Sequence, residues 1–315
     1  MSNNVLIVGA TRGLGASLRR LYASKASTTC VFATTRSSAP PGDSSESHVS
    51  WIQNIDISQP DVGEALVSQL PSSIKLSCVI ITAGYFGFET FDDPDWEKEV
   101  RMYTTSAVGP VFVVQRLVKA GLLDKGSKVI LVSSESGSIT LRHEKEGGGN
   151  YGHHASKAAL NMVGKLLSLD LKEKGIAVGL VHPGFMRTEM TKSVGFDKYW
   201  DAGGAVTPDE AAQSLASFID GFDISKTGQF WAPRGPGDIG TAEAVLGNDL
   251  PTPLQLPWRV ILRMPHCGEV VESRKYGQIA ETPTAAVLCI EAHFAEYAVP
   301  KTVRSHQAME ELSAV

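Results

Sequence analysis

The chain begins with an apolar run broken by glycine, "VLIVGA" at 5–10, followed by Leu14, Leu18, Leu21 and Tyr22 at helical spacing. A short apolar run ending at glycine predicts a buried strand, and the second pattern predicts an amphipathic helix. The alternation recurs. Strands are predicted at 28–36, 50–56, 76–84, 127–134 and 176–184. Helices are predicted over "VGEALVSQL", the long "DWEKEVRMYTTSAVGPVFVVQRLVKAGLL" and "HHASKAALNMVGKLLSLDLKEKG". Strands alternating with helices predict an α/β fold, a Rossmann-type doubly wound parallel sheet covered on both faces. The pattern fades after about residue 235. The expected organisation is this Rossmann-type domain at 1–240 and a C-terminal extension at 241–315. The extension is proline-punctuated at 241–258 and has one apolar helical candidate at 284–299, which suits a docking helix, an oligomer contact or poorly ordered chain.

Composition narrows the partners. The 315 residues are 43% hydrophobic and 20% charged, with a net charge of −5 and no dense basic run, so no nucleic-acid partner is expected. No apolar window reaches the length of a membrane span, and the N-terminus lacks the basic start of a signal peptide. The expectation is a soluble cytoplasmic protein with a small-molecule substrate, no membrane partner and scope for a homo-oligomer. The four cysteines, Cys30, Cys78, Cys267 and Cys289, show no CxxC spacing, and no metal site is expected. Cys30 and Cys78 sit in strand-like runs, where cysteine is usually a small core hydrophobe.

Candidate chemistry starts at "VLIVGATRGLG". Gly9, Gly13 and Gly15 stand between a predicted strand and a predicted helix, where glycine lets the backbone approach a pyrophosphate at a helix N-terminus. NAD-binding folds usually place an acid at the end of the second strand. Here that strand ends in Arg36, and Arg12 sits inside the glycine turn. Two guanidinium groups suit a 2'-phosphate, so NADP is expected as cofactor in preference to NAD. The bland alternative for Arg36 is a solvated strand end.

Five motifs occur in a fixed order: the glycine turn, "TAG" after the fourth strand, "SSESG" after the fifth, "ASKAALN" in the next helix and "HPGFMRTEM" after the sixth. In these the chain resembles a short-chain dehydrogenase/reductase of the C-factor-like or carbonyl-reductase-like branch, over roughly 4–235. Its proline-rich ending is similar to fungal members found with secondary-metabolite genes. The resemblance implies that Gly9, Arg12, Gly13, Leu14 and Gly15 lie along the diphosphate and adenosine ribose, with Arg36 at the 2'-phosphate. It also places Asp56 at the adenine amine, Ala83 and Gly84 near the ribose, Lys157 on the nicotinamide ribose, and Pro183, Gly184 and Thr188 at the carboxamide. Asp56 could instead be a helix cap, and Pro183-Gly184 only a turn.

The same resemblance implies a catalytic serine at Ser134, with Ser136 or Ser138 as alternatives, and the lysine at Lys157. Where the family has its tyrosine, four residues before the lysine, this chain has His153. Ser106 aligns with the relay asparagine and Thr82 with the asparagine before "AG". Tyr151 is a poor substitute: six residues make about 600° of helical rotation, which puts it on a different face from Lys157. Imidazole is a competent acid or base but is shorter than phenol. Two functions follow. One is an NADP-dependent oxidoreductase on a carbonyl, alcohol, imine or alkene, with the apolar residues of 185–207 pointing to an apolar substrate. The other is an NADP-binding protein with a non-redox activity, such as a cyclase or isomerase, or a non-catalytic partner.

Overall fold

The computed structural model describes residues 3–42, 46–142, 147–235 and 252–253. The strands are β1 (Asn4–Val8), β2 (Cys30–Thr34), β3 (Val49–Ile52), β4 (Leu76–Ile81), β5 (Lys128–Val132), β6 (Ala177–Val181), β7 (Phe230–Ala232) and β8 (Thr252–Pro253). They form one sheet in the order β3-β2-β1-β4-β5-β6-β7-β8. Seven strands run parallel and β8 pairs antiparallel to β7. The strand order reverses between β1 and β4, which opens the crevice at the strands' C-terminal ends where ligands of such sheets bind.

The central strands are buried on both sides, and alternate residues feed two cores. Leu6, Val8, Val79, Ile81, Val129 and Leu131 point one way. They meet α2 (Val62–Ser68), α4 (Gly109–Lys119) and α5 (Tyr151–Lys172) through Leu66, Val113, Leu117 and Leu160. Val5, Ile7, Cys78, Ile80 and Ile130 point the other way and meet α1 (Gly13–Ser24) and α7 (Pro208–Asp220) through Leu14, Leu18, Leu215 and Ile219. Each fully buried Leu, Ile or Val contributes about 1.5–3 kcal/mol relative to exposure. Cys78 is one of these core residues, and burial pushes its thiol up to about 12.

The long predicted helix is divided. It runs as α3 (Trp96–Tyr103), a π-helical segment at Thr104–Val108, and α4. Helix α7 and strands β7 and β8 are among the elements that escaped the sequence pattern. Helix α7 starts with a capping box, in which Thr207 and Glu210 satisfy each other's backbone N–H groups. Strand β8 falls within the stretch read as an extension. It tolerates Pro253 because it lies at the sheet edge, where a missing N–H costs little. The chain divides into two units, Met1–Trp258 and Arg259–Val315. The second, with Cys267, Cys289 and the helical candidate at 284–299, lies outside the described residues.

Candidate active site

The glycine turn follows β1. Gly9 has φ +92°, and a Cβ there would stand 2.7 Å from the backbone nitrogen of Ala83. Gly15 faces the carbonyl of Gly9, where a Cβ would fall at 2.1 Å, so only glycine lets α1 close onto the turn. Gly13, at φ +53°, instead opens toward Thr188, whose methyl carbon would be 3.6 Å from a Cβ. Thr34 and Thr82 brace the turn: Gly9 N–H donates to Thr34 Oγ1 at 2.9 Å, and Thr82 Oγ1 donates to the Val8 carbonyl at 3.0 Å. Leu14 is buried in the core, so only its backbone can face a ligand. Arg12, the residue before α1, is exposed, and so is Arg36 just after β2.

Asp56 closes a tight turn. Its Oδ1 accepts from Ser58 N at 3.0 Å and Ser58 Oγ at 2.8 Å. Burial resists its ionisation, but the Ser58 bonds and the charges of Arg36 and Arg101 outweigh it and hold the carboxyl below its usual range. Past β6, Pro183 and Gly184 are buried, with Gly184 at φ +90°. Thr188 caps helix α6 (Glu189–Ser193), accepting from Thr191 N at 3.2 Å.

Ser134 follows β5 at the start of a short 3-10 turn, Glu135–Gly137. Its hydroxyl donates to Ser136 Oγ at 3.0 Å and accepts from Ser136 N at 3.2 Å. His182 Nδ1 accepts from Glu135 N at 3.2 Å, and Glu135 pairs with Arg142. The turn presses on α5: a Cβ on Gly137 would lie 2.6 Å from the carbonyl carbon of Lys157. Ser133 Oγ adds a bond to Asn161 Oδ1 at 2.6 Å. The candidate serine and the candidate lysine are thereby fixed to one another.

On α5, His153 precedes Lys157 by one turn, the spacing that puts both on one face. Lys157 Nζ donates to the Val132 carbonyl at 3.0 Å, and burial lowers its pKa to about 8. His153 is pushed down to about 3, by burial first and then by the charges of Lys157, His154 and Arg142. Its Nδ1 is buried without a hydrogen-bond partner among the described residues. Tyr151 is the first residue of α5 and is 41% exposed. Ser106 sits in the π-helical segment with its hydroxyl buried and unpartnered among the described residues.

Two loops close over His153. Phe86, after β4, stacks on the imidazole with centroids 4.2 Å apart, and Phe196 meets Phe86 edge-on at 5.7 Å. Three residues on, Glu89 is buried and its Oε1 accepts from Gly152 N at 2.6 Å. Within 185–207, Met190 approaches Gly84, whereas Trp200 is turned aside to donate to Thr191 Oγ1 at 3.2 Å. Phe86 and Glu89 carry no sequence signal, since they lie in an aperiodic loop. Among the described residues no helix is long and apolar enough to cross a membrane, and no cluster of potential metal ligands occurs.

Comparison with known proteins matches the chain to one family. The short chain dehydrogenase family model matches residues 3–198. A 1-hydroxy-2-glutathionyl-2-methyl-3-butene dehydrogenase of Rhodococcus sp. (strain AD45) is 28% identical over 232 residues, 72% of this chain and 95% of that protein. The C-signal protein of Myxococcus xanthus is 31% identical over 143 residues, 45% of this chain and 79% of that protein. The NADPH-bound carbonyl reductase from chicken fatty liver superposes with a TM-score of 0.64 at 23% identity, covering 76% of this chain and 98% of that one. A carbonyl reductase from Pseudomonas aeruginosa PAO1 gives a TM-score of 0.60 at 25% identity, with 74% and 97% covered. A match spanning more than half the chain, on a sheet of the same architecture, makes this protein a member of the short chain dehydrogenase family of oxidoreductases.

Proposed function

We propose that this chain is an NADP-dependent reductase acting on a carbonyl of an apolar small molecule. The observation that carries the reading is the one-turn spacing of His153 and Lys157 beside the Ser134 turn, in a chain whose glycine turn is intact. The residues fit the cofactor. Gly9, Gly13 and Gly15 leave backbone room for the diphosphate, with Leu14 adding its N–H, and Arg12 and Arg36 suit the 2'-phosphate. Ala83 and Gly84 would flank the ribose, and Pro183, Gly184 and Thr188 the carboxamide. An adenine amine would meet the Asp56 oxygen not held by Ser58. Bound there, NADPH supplies a hydride.

The protein's own groups handle the oxygen and the proton. Ser134 would hydrogen-bond the substrate oxygen. His153 is neutral at physiological pH, so it donates a hydrogen bond and is no reservoir of protons. Lys157, with a pKa of about 8, is the group that can release one near neutrality. Phe86, Met190 and Phe196 shut water out and favour an apolar ligand. Substrates that accept hydride without protonation at the heteroatom, such as iminium ions, form a second reading, favoured by the neutral His153. Mixing the protein and NADPH with ketones, aldehydes and cyclic iminium salts, while following the loss of NADPH absorbance, tests both. No loss with any class, despite measurable NADPH binding, would favour a non-redox activity or a non-catalytic role.

A further inference from the structure

Arg19 is a charged residue where an apolar one would serve. It lies on the inward face of α1, next to Leu18, and is 1% exposed. Burying a guanidinium is costly unless it is paired, and a well-packed apolar residue in its place is often neutral or stabilising. Stability alone therefore does not explain it. Its bonds run to three separate segments. Nη1 donates to the Ala10 carbonyl at 3.2 Å, inside the glycine turn and two residues before Arg12. Nε and Nη2 donate to Glu46 Oε1 at 3.2 and 2.8 Å. The guanidinium plane lies over Trp51 of β3, 5.0 Å from the ring centroid. Glu46 stands three residues before β3, and the backbone on either side of Arg36 is bonded to the end of that strand and the turn after it, Thr35 N donating to the Ile52 carbonyl at 2.9 Å and Asn54 N to the Ser37 carbonyl at 3.2 Å.

We infer that Arg19 is a positioning residue for cofactor selectivity, tying the glycine turn that carries Arg12 to β3, whose end holds the backbone on either side of Arg36. Both of those arginines are exposed, so their separation depends on the backbone beneath them. A 2'-phosphate gripped from two sides needs that separation fixed, because charge-assisted bonds weaken steeply with poor geometry. The unphosphorylated ribose of NADH makes no such demand. The inference rests on the reading of Arg12 and Arg36 given under the proposed function.

The test is titration of the full-length protein with NADPH and with NADH, followed by cofactor fluorescence. The variants are the charge-neutral pair Arg19→Met/Glu46→Gln and the single Arg19→Lys. The pair is expected to weaken NADPH by about tenfold and NADH by less than about twofold, with Arg19→Lys in between. Equal weakening of both cofactors, or none, overturns the inference. If the pair does not fold, Glu46→Gln alone decides. It removes the ion pair while leaving the guanidinium a neutral acceptor at a partly exposed residue, and should lower the NADPH preference about threefold; an unchanged preference overturns the inference. Equal binding of the two cofactors by the unmutated protein would instead remove the underlying reading of Arg12 and Arg36, and this inference with it.

Discussion

The Phe86 ring lies on the His153 imidazole, 26° from parallel, so the residue one turn before Lys157 is roofed by an aromatic ring. That roof desolvates the imidazole, and burial is the main reason its pKa drops to about 3. A histidine in this setting is a neutral hydrogen-bonding group.

His153→Tyr should place a phenol beside Lys157 and raise reduction of simple ketones and aldehydes, by about tenfold or more. The double variant with Ser106→Asn should gain further, because it puts a two-headed polar side chain where a buried hydroxyl has no partner among the described residues. Tyr151→Phe should change little. Loss of turnover in Tyr151→Phe, with His153→Ala fully active, would show that the wrong residue has been placed at the nicotinamide.

Carbonyl reduction should depend on protonated Lys157. Its pKa is lowered to about 8, so the ammonium is full below that value and is lost as pH rises through it. Reduction should therefore fall as pH rises through about 8, while oxidation of the corresponding alcohol should rise. Iminium reduction should lack this limb. A flat profile for ketone reduction across that range would exclude Lys157 as the proton source.

Arg36→Asp should weaken NADPH by about 1.5–3 kcal/mol, the worth of a charged hydrogen bond, and spare or improve NADH. The pair of dissociation constants is the measurement. An unchanged NADPH constant would leave Arg36 as a solvated strand end.

Gly137→Ala should be costly. Its Cβ would stand 2.6 Å from the Lys157 backbone, which has no flexible end to yield. A loss of about 1–3 kcal/mol in stability is expected, read by denaturant midpoint. Turnover should fall further than stability requires, because the Ser134 turn would be lifted off α5.

The glycine turn, the six leading strands and the four-residue spacing of His153 and Lys157 were legible because each is a local pattern. Gly9 and Gly15 declare themselves by backbone demands that no other residue meets. Helix α7 and strand β7 were harder: β7 is only three residues long, and α7 followed 185–207, a stretch read for its apolar residues and not for periodicity. Strand β8 was hidden because Pro253 speaks against a strand everywhere except at an edge. Phe86, Glu89 and Arg19 could not be read at all. Their roles arise from contacts across 67, 63 and 27 positions with His153, Gly152 and Glu46, and no spacing rule reaches that far.

The π-helical segment at Thr104–Val108 works as a phase shifter. One residue too many in a helical run rotates everything after it by about 100°. The run can then offer α3 to α5 and α4 to α2, two neighbours that a straight helix could not serve with one apolar stripe. Removing a single residue from that segment would turn Val113, Val114 and Leu117 away from the sheet, while α3 stayed in place. The register between the site and the part of the core filled by Val113, Val114 and Leu117 thus depends on one surplus residue, in the segment that also holds Ser106.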